Sequence, residues 1–278
     1  MQKWFYHLVF FQIKNLPLFF FELLFVIIYP IYKKSHKHKA WGRVKRLLEE
    51  TKLDSKTTPK AVFYSLYKNA LDSFRVLKND KKTVRKITFE NEYLILNTIT
   101  DKTPIVAISI HQGPFEILHR SLCRYHKNVF LLTNPFPNTN LTHALHEIRQ
   151  HPHLFEHSTE EVGSVLKRTI REKGILALLI DQAKNGKGNK VQLWDKSFFL
   201  YLKVPLKANQ LGAAIITFRT FTTKTGIIVR FEKLYPPKTS EDLIKKSIAR
   251  EVEHWIEEHP EQWTWNYHKN FKVGENAH

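Results

Sequence analysis

The sequence contains little cysteine, glycine or acidic residue, and each shortage excludes a class of protein. One residue of 278 is a cysteine, Cys123, which excludes an intrachain disulfide framework and a cysteine-rich zinc site. Nine glycines without a tripeptide period exclude a collagen-like fibre. Asp and Glu number 26 against 44 Lys and Arg, so the formal net charge is +18. This imbalance favours an anionic partner, namely lipid, nucleic acid or an acidic protein.

Apolar sequence is abundant and unevenly distributed. Hydrophobic residues make up 42% of the chain, which excludes an intrinsically disordered protein. Residues 16–32 are almost all apolar, and a lysine-rich stretch, residues 33–39, follows. No small-residue cleavage site is present, so we predict an uncleaved membrane helix. Because Glu22, Pro17 and Pro30 make its length marginal, three arrangements stay open: a short or tilted span, a helix in the membrane plane, and a buried helix.

The rest of the chain predicts one α/β domain. We divide the chain into an N-terminal membrane anchor with a basic flank, residues 1–40, and a folded domain, residues 41–278. In that domain strands alternate with helices, which predicts a mixed, mostly parallel sheet flanked by helices. Residues 104–110 and 175–180 are apolar on both faces, as buried parallel strands are. If the anchor spans, the lysines after it place the domain in the cytoplasm.

Side chains with useful chemistry follow the first of these strands. His111 comes directly after it, Gly113 permits a tight turn, and Pro114 suits the first position of a helix. Ligands bind α/β proteins beyond the carboxyl ends of parallel strands. We expect Glu116, one turn into the helix, to fold back onto His111 and to fix its tautomer. The other imidazole nitrogen can then accept a proton, which predicts a general base acting on a hydroxyl or an amine.

Other motifs are weaker or missing. His146 and His151 resemble the histidines of a zinc-protease motif, but the second lies one residue too late to share a helix face, so no metal is predicted. The sequence contains neither GxSxG nor GxxxxGK[ST], which excludes the usual hydrolase elbow and the P-loop. No cofactor is predicted. A basic nucleic-acid-binding protein is the rival interpretation of the charge, although the charge is dispersed and no nucleic-acid-binding motif is recognisable.

Two segments resemble one enzyme family. His111 and Glu116 have the His-(any four)-Glu spacing of the glycerolipid acyltransferase superfamily. Residues 132–149, LTNPFPNTNLTHALHEIR, are similar to a segment of its bacterial lauroyl/myristoyl branch, the late acyltransferases of lipid A biosynthesis. In that segment Asn138 and Arg149 occupy matching positions.

Two later segments extend the resemblance over nearly the whole chain. Asp181 and Gln182 precede a polar loop, as an Asp-(His/Gln) pair does in the family. Residues 259–272, HPEQWTWNYHKNFK, closely resemble the segment that ends family members, and this is the most specific match.

The resemblance implies transfer of an acyl chain from an acyl-carrier-protein thioester, or acyl-CoA, to a hydroxyl of a lipid A precursor, with no acyl-enzyme. The implied location is the bacterial inner membrane, with the catalytic domain facing the cytoplasm and in contact with the bilayer and a membrane lipid acceptor. Nucleic acid is not an implied partner. His111 is implied as the general base and Glu116 as the group that orients it. The implied substrate-binding residues are Arg149, a candidate oxyanion donor, with Asn138, Asp181 and Gln182.

The sequence departs from the family in two places that concern the acceptor. Thr133 and Asn134 stand where the family has Tyr-Arg, and Lys269 and Asn270 stand where it has two arginines. Lysine does not replace the bidentate contacts of arginine with phosphate. An alternative acceptor, an amino-acid lipid or a glycolipid, therefore stays open.

Overall fold

The structure, a computed structural model, is built on a seven-stranded sheet. It describes residues 13, 16–35, 39–51, 53, 57–134, 139–183 and 188–268. The strands in these ranges are β1 (Ile87–Glu90), β2 (Ile105–Ser109), β3 (Val129–Thr133), β4 (Leu154–Ser158), β5 (Ile175–Leu179), β6 (Asn189–Leu193), β7 (Lys196–Leu200), β8 (Ala214–Thr222) and β9 (Ile227–Tyr235).

The sheet is mixed and mostly parallel, as the sequence predicts. Its spatial order is β1-β9-β8-β2-β5-β3-β4, and β6 pairs with β7 in a separate hairpin. Within the large sheet β8 and β9 are antiparallel, and the other neighbouring strands are parallel. The strands β2 and β5 lie side by side at the centre. Their carboxyl ends therefore reach the same edge of the sheet, where α/β folds bind ligands.

Helices cover both faces of the sheet. Val106 and Ile108 pack into one hydrophobic core, and Ile105 and Ala107 pack into the other, because alternate residues of a strand face opposite sides. This explains the unbroken apolar sequence of β2. The helices are α1 (Leu18–Ser35), α2 (Lys39–Thr51), α3 (Pro59–Leu77), α4 (Lys81–Val84), α5 (Tyr93–Thr100), α6 (Leu118–Leu122), α7 (Thr139–Arg149), α8 (Val162–Arg171), α9 (Lys203–Gln210) and α10 (Glu241–Glu258), with 3₁₀ turns at Phe115–Ile117, Thr159–Glu161, Pro260–Gln262 and Trp265–Tyr267.

The predicted N-terminal membrane helix is not supported as a span. Residues of the apolar segment do form α1, but within the described parts of the chain no helix is long and apolar enough to cross a membrane. Glu22 and two lysines in the last turn interrupt its apolar character. One side of α1 packs on α3, where the ring centroids of Phe25 and Tyr64 are 5.2 Å apart and the Tyr64 hydroxyl donates to Glu22 at 3.3 Å.

The other side of α1 is exposed. Phe19 is 68% exposed, whereas Phe21 on the packed side is 5% exposed. The exposed residues recur at three- and four-residue steps, so they form one apolar stripe along the helix. The members of this stripe are Phe19, Leu23, Val26, Ile27 and Ile31.

Candidate active site

The register of two neighbouring strands places His111 beside Asp181. Parallel pairing aligns Ser109 of β2 with Leu179 of β5, and in each strand one isoleucine follows before the polar side chain. Nδ1 of His111 lies 2.6 Å from Oδ1 of Asp181. The backbone N–H of His111 also donates to both oxygens of that carboxylate, at 3.2 Å each. Asp181 therefore fixes both the main chain and the ring of His111.

Asp181 is a buried anion. Its side chain has no exposed surface, and Nε1 of Trp263 donates to its Oδ2 at 2.9 Å. Nε2 of His268 lies 3.4 Å from the same oxygen. Burial by itself raises the pKa of Asp181, but the imidazoles of His111 and His268 outweigh burial and hold that pKa well below its usual range. An ionised Asp181 keeps a proton on Nδ1 of His111 and leaves Nε2 as the basic nitrogen.

Glu116 has a different partner from the one expected. Nε and Nη2 of Arg149 donate to its two oxygens at 2.9 and 2.8 Å, and Nη1 of Arg149 donates to Glu156 at 2.8 Å. The His-(any four)-Glu spacing predicts that Glu116 folds back onto the imidazole, but the carboxylate on Nδ1 is that of Asp181. The reason is twofold. Strand register brings Asp181 directly to Nδ1, and the guanidinium of Arg149 offers Glu116 a bidentate charged contact.

A cavity of about 710 Å³ joins these groups. It lies within the size range of ligand pockets, about 300–1,000 Å³. His111, Glu116, Arg149 and Tyr267 line it, and the ring centroid of Tyr267 lies 5.8 Å from that of His111. The imidazole of His111 thus faces a space with largely apolar walls. The apolar wall consists of Phe115, Leu118, Leu131, Leu132, Ala177, Leu178, Leu179, Ala183 and Phe218.

The turn that carries His111 is held from behind by the C-terminal segment. The backbone N–H of Gly113 donates to the carbonyl of Gln262 at 3.0 Å, and that of Thr264 donates to the carbonyl of His111 at 3.1 Å. Gly113 has φ = +60°, and a Cβ there would collide with the backbone oxygen of Thr220. The tight turn is as the sequence predicts, whereas the contribution of the C-terminal segment is not predicted from the sequence.

Of the two remaining sequence-predicted site residues, one lies at the cavity and the other is not among the described residues. Gln182 is exposed and lines the cavity. Asn138 lies outside the described residues, so its predicted role stays a prediction. Among the described residues, no group of three or more His, Cys, Asp and Glu side chains could hold a metal ion. Asp181 was predicted only as a substrate-binding residue. The signal that points to its pairing is the parallel between Ile110-His111 and Ile180-Asp181, which end two apolar strands at the same offset.

Comparison with known proteins identifies the family. The model of the bacterial lipid A biosynthesis acyltransferase family matches residues 59–273, which is most of the 278-residue chain and includes every residue of the site described above. The comparison with curated proteins finds no significant match. The family predicted from the sequence is therefore confirmed, whereas the lauroyl/myristoyl branch stays a prediction.

Proposed function

Because the chain belongs to the bacterial lipid A biosynthesis acyltransferase family, we propose that it transfers a fatty acyl chain from a thioester to a hydroxyl of a lipid A precursor. The donor in this proposal is acyl-carrier protein or acyl-CoA. The observation that carries the proposal is the contact between His111 and the buried anion Asp181 at the wall of an apolar cavity. An acceptor hydroxyl and an acyl thioester can meet in this cavity beside the imidazole.

The reaction follows from this geometry. Nε2 of His111 removes the proton of the acceptor hydroxyl while the oxygen attacks the thioester carbonyl. Asp181 stabilises the imidazolium that forms, as the buried carboxylate of a catalytic triad does. When the tetrahedral intermediate collapses, the carbon–sulfur bond breaks, and the thiolate takes the proton from the imidazolium. The products are an ester and a free thiol, and no acyl-enzyme forms.

Glu116 and Arg149 shape the cavity in this proposal. Arg149 is 9% exposed, and two carboxylates bind its guanidinium, so its charge is already matched. We therefore assign Arg149 to positioning Glu116 on the cavity wall. The Glu116 carboxylate then accepts hydrogen bonds from the acceptor lipid rather than from His111.

The test is transfer by the purified full-length protein. Acyl-carrier-protein and acyl-CoA donors are supplied with a lipid A precursor in mixed micelles, and the ester is detected by mass spectrometry. The variant His111→Ala is expected to lose transfer, whereas His254→Ala, at a side chain that is 71% exposed on α10, is expected to keep it. Unchanged transfer by folded His111→Ala would exclude the proposed base.

A second acceptor, an amino-acid lipid or a glycolipid, is favoured by one observation. Thr133 and Asn134 line the cavity at the positions where the family has Tyr-Arg, so neither of these two positions supplies a cation for a phosphate. Mass spectrometry of total lipids with and without the gene decides between the acceptors. An unchanged lipid A acyl pattern, with the loss of another acylated lipid, would support the second acceptor.

We propose that α1 attaches the enzyme to the cytoplasmic face of the bacterial inner membrane by lying in the membrane plane. Its apolar stripe is exposed while its other side packs on α3, and Lys33 and Lys34 in its last turn suit anionic headgroups.

Co-sedimentation with anionic phospholipid vesicles tests this attachment. The double variant Leu23→Ser/Ile27→Ser is expected to bind at least tenfold more weakly, since each side chain contributes about 1.5–3 kcal/mol when it is buried. The control is Leu243→Ser, at a residue that is 58% exposed on α10. Equal binding by the double variant and the control would exclude α1 as the attachment.

A further inference from the structure

Glu156 is a carboxylate near the site that the proposed reaction does not use. It lies in β4, the edge strand of the sheet, where its register partner Leu131 lines the cavity. Its side chain is 11% exposed, and its Oε1 accepts a hydrogen bond from Nη1 of Arg149 at 2.8 Å. Its Oε2 lies 2.6 Å from Nδ1 of His146. Because both oxygens are bound and one partner is a cation, the contacts are strong enough to fix the side chains that make them.

The guanidinium of Arg149 connects Glu156 to the cavity. Its Nε and Nη2 bind the two oxygens of Glu116, whereas its Nη1 binds Glu156. Glu116 and Arg149 line the cavity of the site, and Glu156 lines a neighbouring pocket of about 450 Å³ that Arg149 also borders. Arg149 thus receives one carboxylate from each side of the wall between the two spaces.

The shape of a guanidinium gives the contact at Nη1 a consequence for Glu116. The group is planar and its donors point in fixed directions, so a bond at Nη1 also sets the direction of the edge formed by Nε and Nη2. Arginine and glutamate side chains both have considerable rotamer freedom, and a pair joined only to each other can turn together. The bond to Glu156 removes that freedom, because β4 is part of the sheet.

We propose that Glu156 is a positioning residue: through Arg149 it holds the carboxylate of Glu116 at the place on the cavity wall where the acceptor lipid binds. The inference rests on the proposed function for the role of Glu116 as the group that binds the acceptor. Glu156 touches none of the reacting atoms. Its loss should therefore weaken the binding of the acceptor and leave the chemical step at His111 nearly unchanged.

Steady-state transfer by the purified full-length protein, with donor and acceptor varied separately, tests the inference. Glu156→Leu removes both contacts, and we expect the KM for the acceptor to rise about tenfold, the effect of one hydrogen bond, while kcat and the KM for the donor change less than about threefold. Glu156→Gln can keep both contacts, since its amide oxygen can accept from Arg149 and its NH₂ can donate to Nδ1 of His146. Its KM for the acceptor is expected to stay within about threefold of that of the unmodified protein. The control is Glu160→Leu, at an exposed position in the next turn.

A purely structural role of Glu156 predicts a different result. Glu156→Leu leaves the buried guanidinium of Arg149 with one carboxylate, so the variant is expected to be less stable. The kinetics are therefore compared at a temperature where circular dichroism shows that all variants are folded. A structural role alone would lower the midpoint of thermal unfolding without changing the KM of the folded protein for the acceptor.

Hydrogen exchange at Nε–H of Arg149, followed by NMR, tests the same inference without turnover. Exchange is expected to be slow in the unmodified protein, because this N–H donates to Glu116 at 2.9 Å. It is expected to be about tenfold faster in Glu156→Leu and nearly unchanged in Glu156→Gln.

The outcomes separate this inference from the proposed function. An unchanged KM for the acceptor or an unchanged exchange rate in Glu156→Leu overturns the inference, and so does a Glu156→Gln protein as impaired as Glu156→Leu. If the unmodified protein transfers no acyl chain, the proposed function is refuted instead. The exchange rates of the two variants then decide whether Glu156 positions Arg149 and Glu116.

Discussion

Replacing Asp181 with asparagine tests whether His111 depends on the carboxylate of Asp181 rather than on that of Glu116. The substitution preserves the size of a fully buried side chain but removes its charge. Asp181 accepts hydrogen bonds from Nδ1 and the backbone N–H of His111 and from Nε1 of Trp263. The NH₂ group of an asparagine cannot accept, so at least one of these donors loses its acceptor. The imidazole also loses the anion that fixes its tautomer.

The size of the effect follows from this loss. The same substitution in a Ser-His-Asp triad lowers kcat about 10⁴-fold, because the imidazole adopts the wrong tautomer. For Asp181→Asn we expect a fall in kcat of about 10³–10⁴-fold, which corresponds to about 4–5 kcal/mol of transition-state stabilisation. The KM for the acceptor should change much less, since Asp181 lies behind His111 and has no exposed surface.

The assay is steady-state acyl transfer by the purified variant, with folding checked by circular dichroism. The control is Asp101→Asn, at an exposed position after α5. The variant at Asp181 is also expected to lose about 1–3 kcal/mol of stability because of the unpaired buried donor, so the rates are compared at a temperature where it stays folded. A folded Asp181→Asn protein that retains more than a tenth of the kcat would refute the role of Asp181.

Three further predictions concern the same site. In a double-mutant cycle of Glu116→Gln and Arg149→Gln, measured by denaturant unfolding, we expect a coupling free energy of about 1–3 kcal/mol. The reason is that the two side chains form a bidentate ion pair, so additive effects on stability would contradict that pairing. Gly113→Ala is expected to destabilise the fold by about 2 kcal/mol or more, because φ is positive and the Cβ would collide with β8. The control is Gly42→Ala in α2, where nothing lies within 4 Å of the added Cβ. In the same unfolding assay this control is expected to be neutral or stabilising. Since the pKa of Asp181 is lowered in the fold, its ionisation stabilises the protein above about pH 4 and this contribution is lost as the pH falls further. The difference in unfolding free energy between the unmodified protein and Asp181→Asn should therefore shrink on acidification below about pH 4, and a constant difference would contradict the lowered pKa.

The elements that the sequence predicts well are those with one dominant pattern. The strands β2 and β5 are buried on both faces, and their apolar runs locate them to within one or two residues. The antiparallel pair β8 and β9 also has a local signal, since a polar TTKTG turn separates two long strands. In contrast, β4 was missed because all five of its residues are only half buried and two of them are Glu156 and His157. The β6–β7 hairpin, which lies outside the main sheet, is likewise not predicted from the sequence.

At the site too, the sequence predicts local features better than contacts between residues that are far apart in the chain. His111 is predicted because it follows a buried strand and precedes a glycine turn, which is local information. Its contact with Asp181 depends on residues 70 positions apart and on β2 and β5 being neighbours. Local spacing therefore favoured Glu116, five residues away. If the carboxyl ends of the candidate parallel strands are aligned first, Asp181 becomes a candidate partner of His111 on the same footing as Glu116.

The sequence of the C-terminal segment is the most specific part of the family resemblance. The hydrogen bonds that this segment makes give a physical reason for that specificity. Tyr267 of this segment lines the cavity, and other residues of the segment bind the turn that carries His111. Gln262 and Thr264 bond the main chain on both sides of Gln112, and Trp263 donates to the carboxylate that holds His111. The side-chain amide of Gln262 also bonds the end of β8. The segment thus couples the turn, Asp181 and the sheet, so a change in it is expected to alter the angle of the imidazole before it alters any contact with substrate.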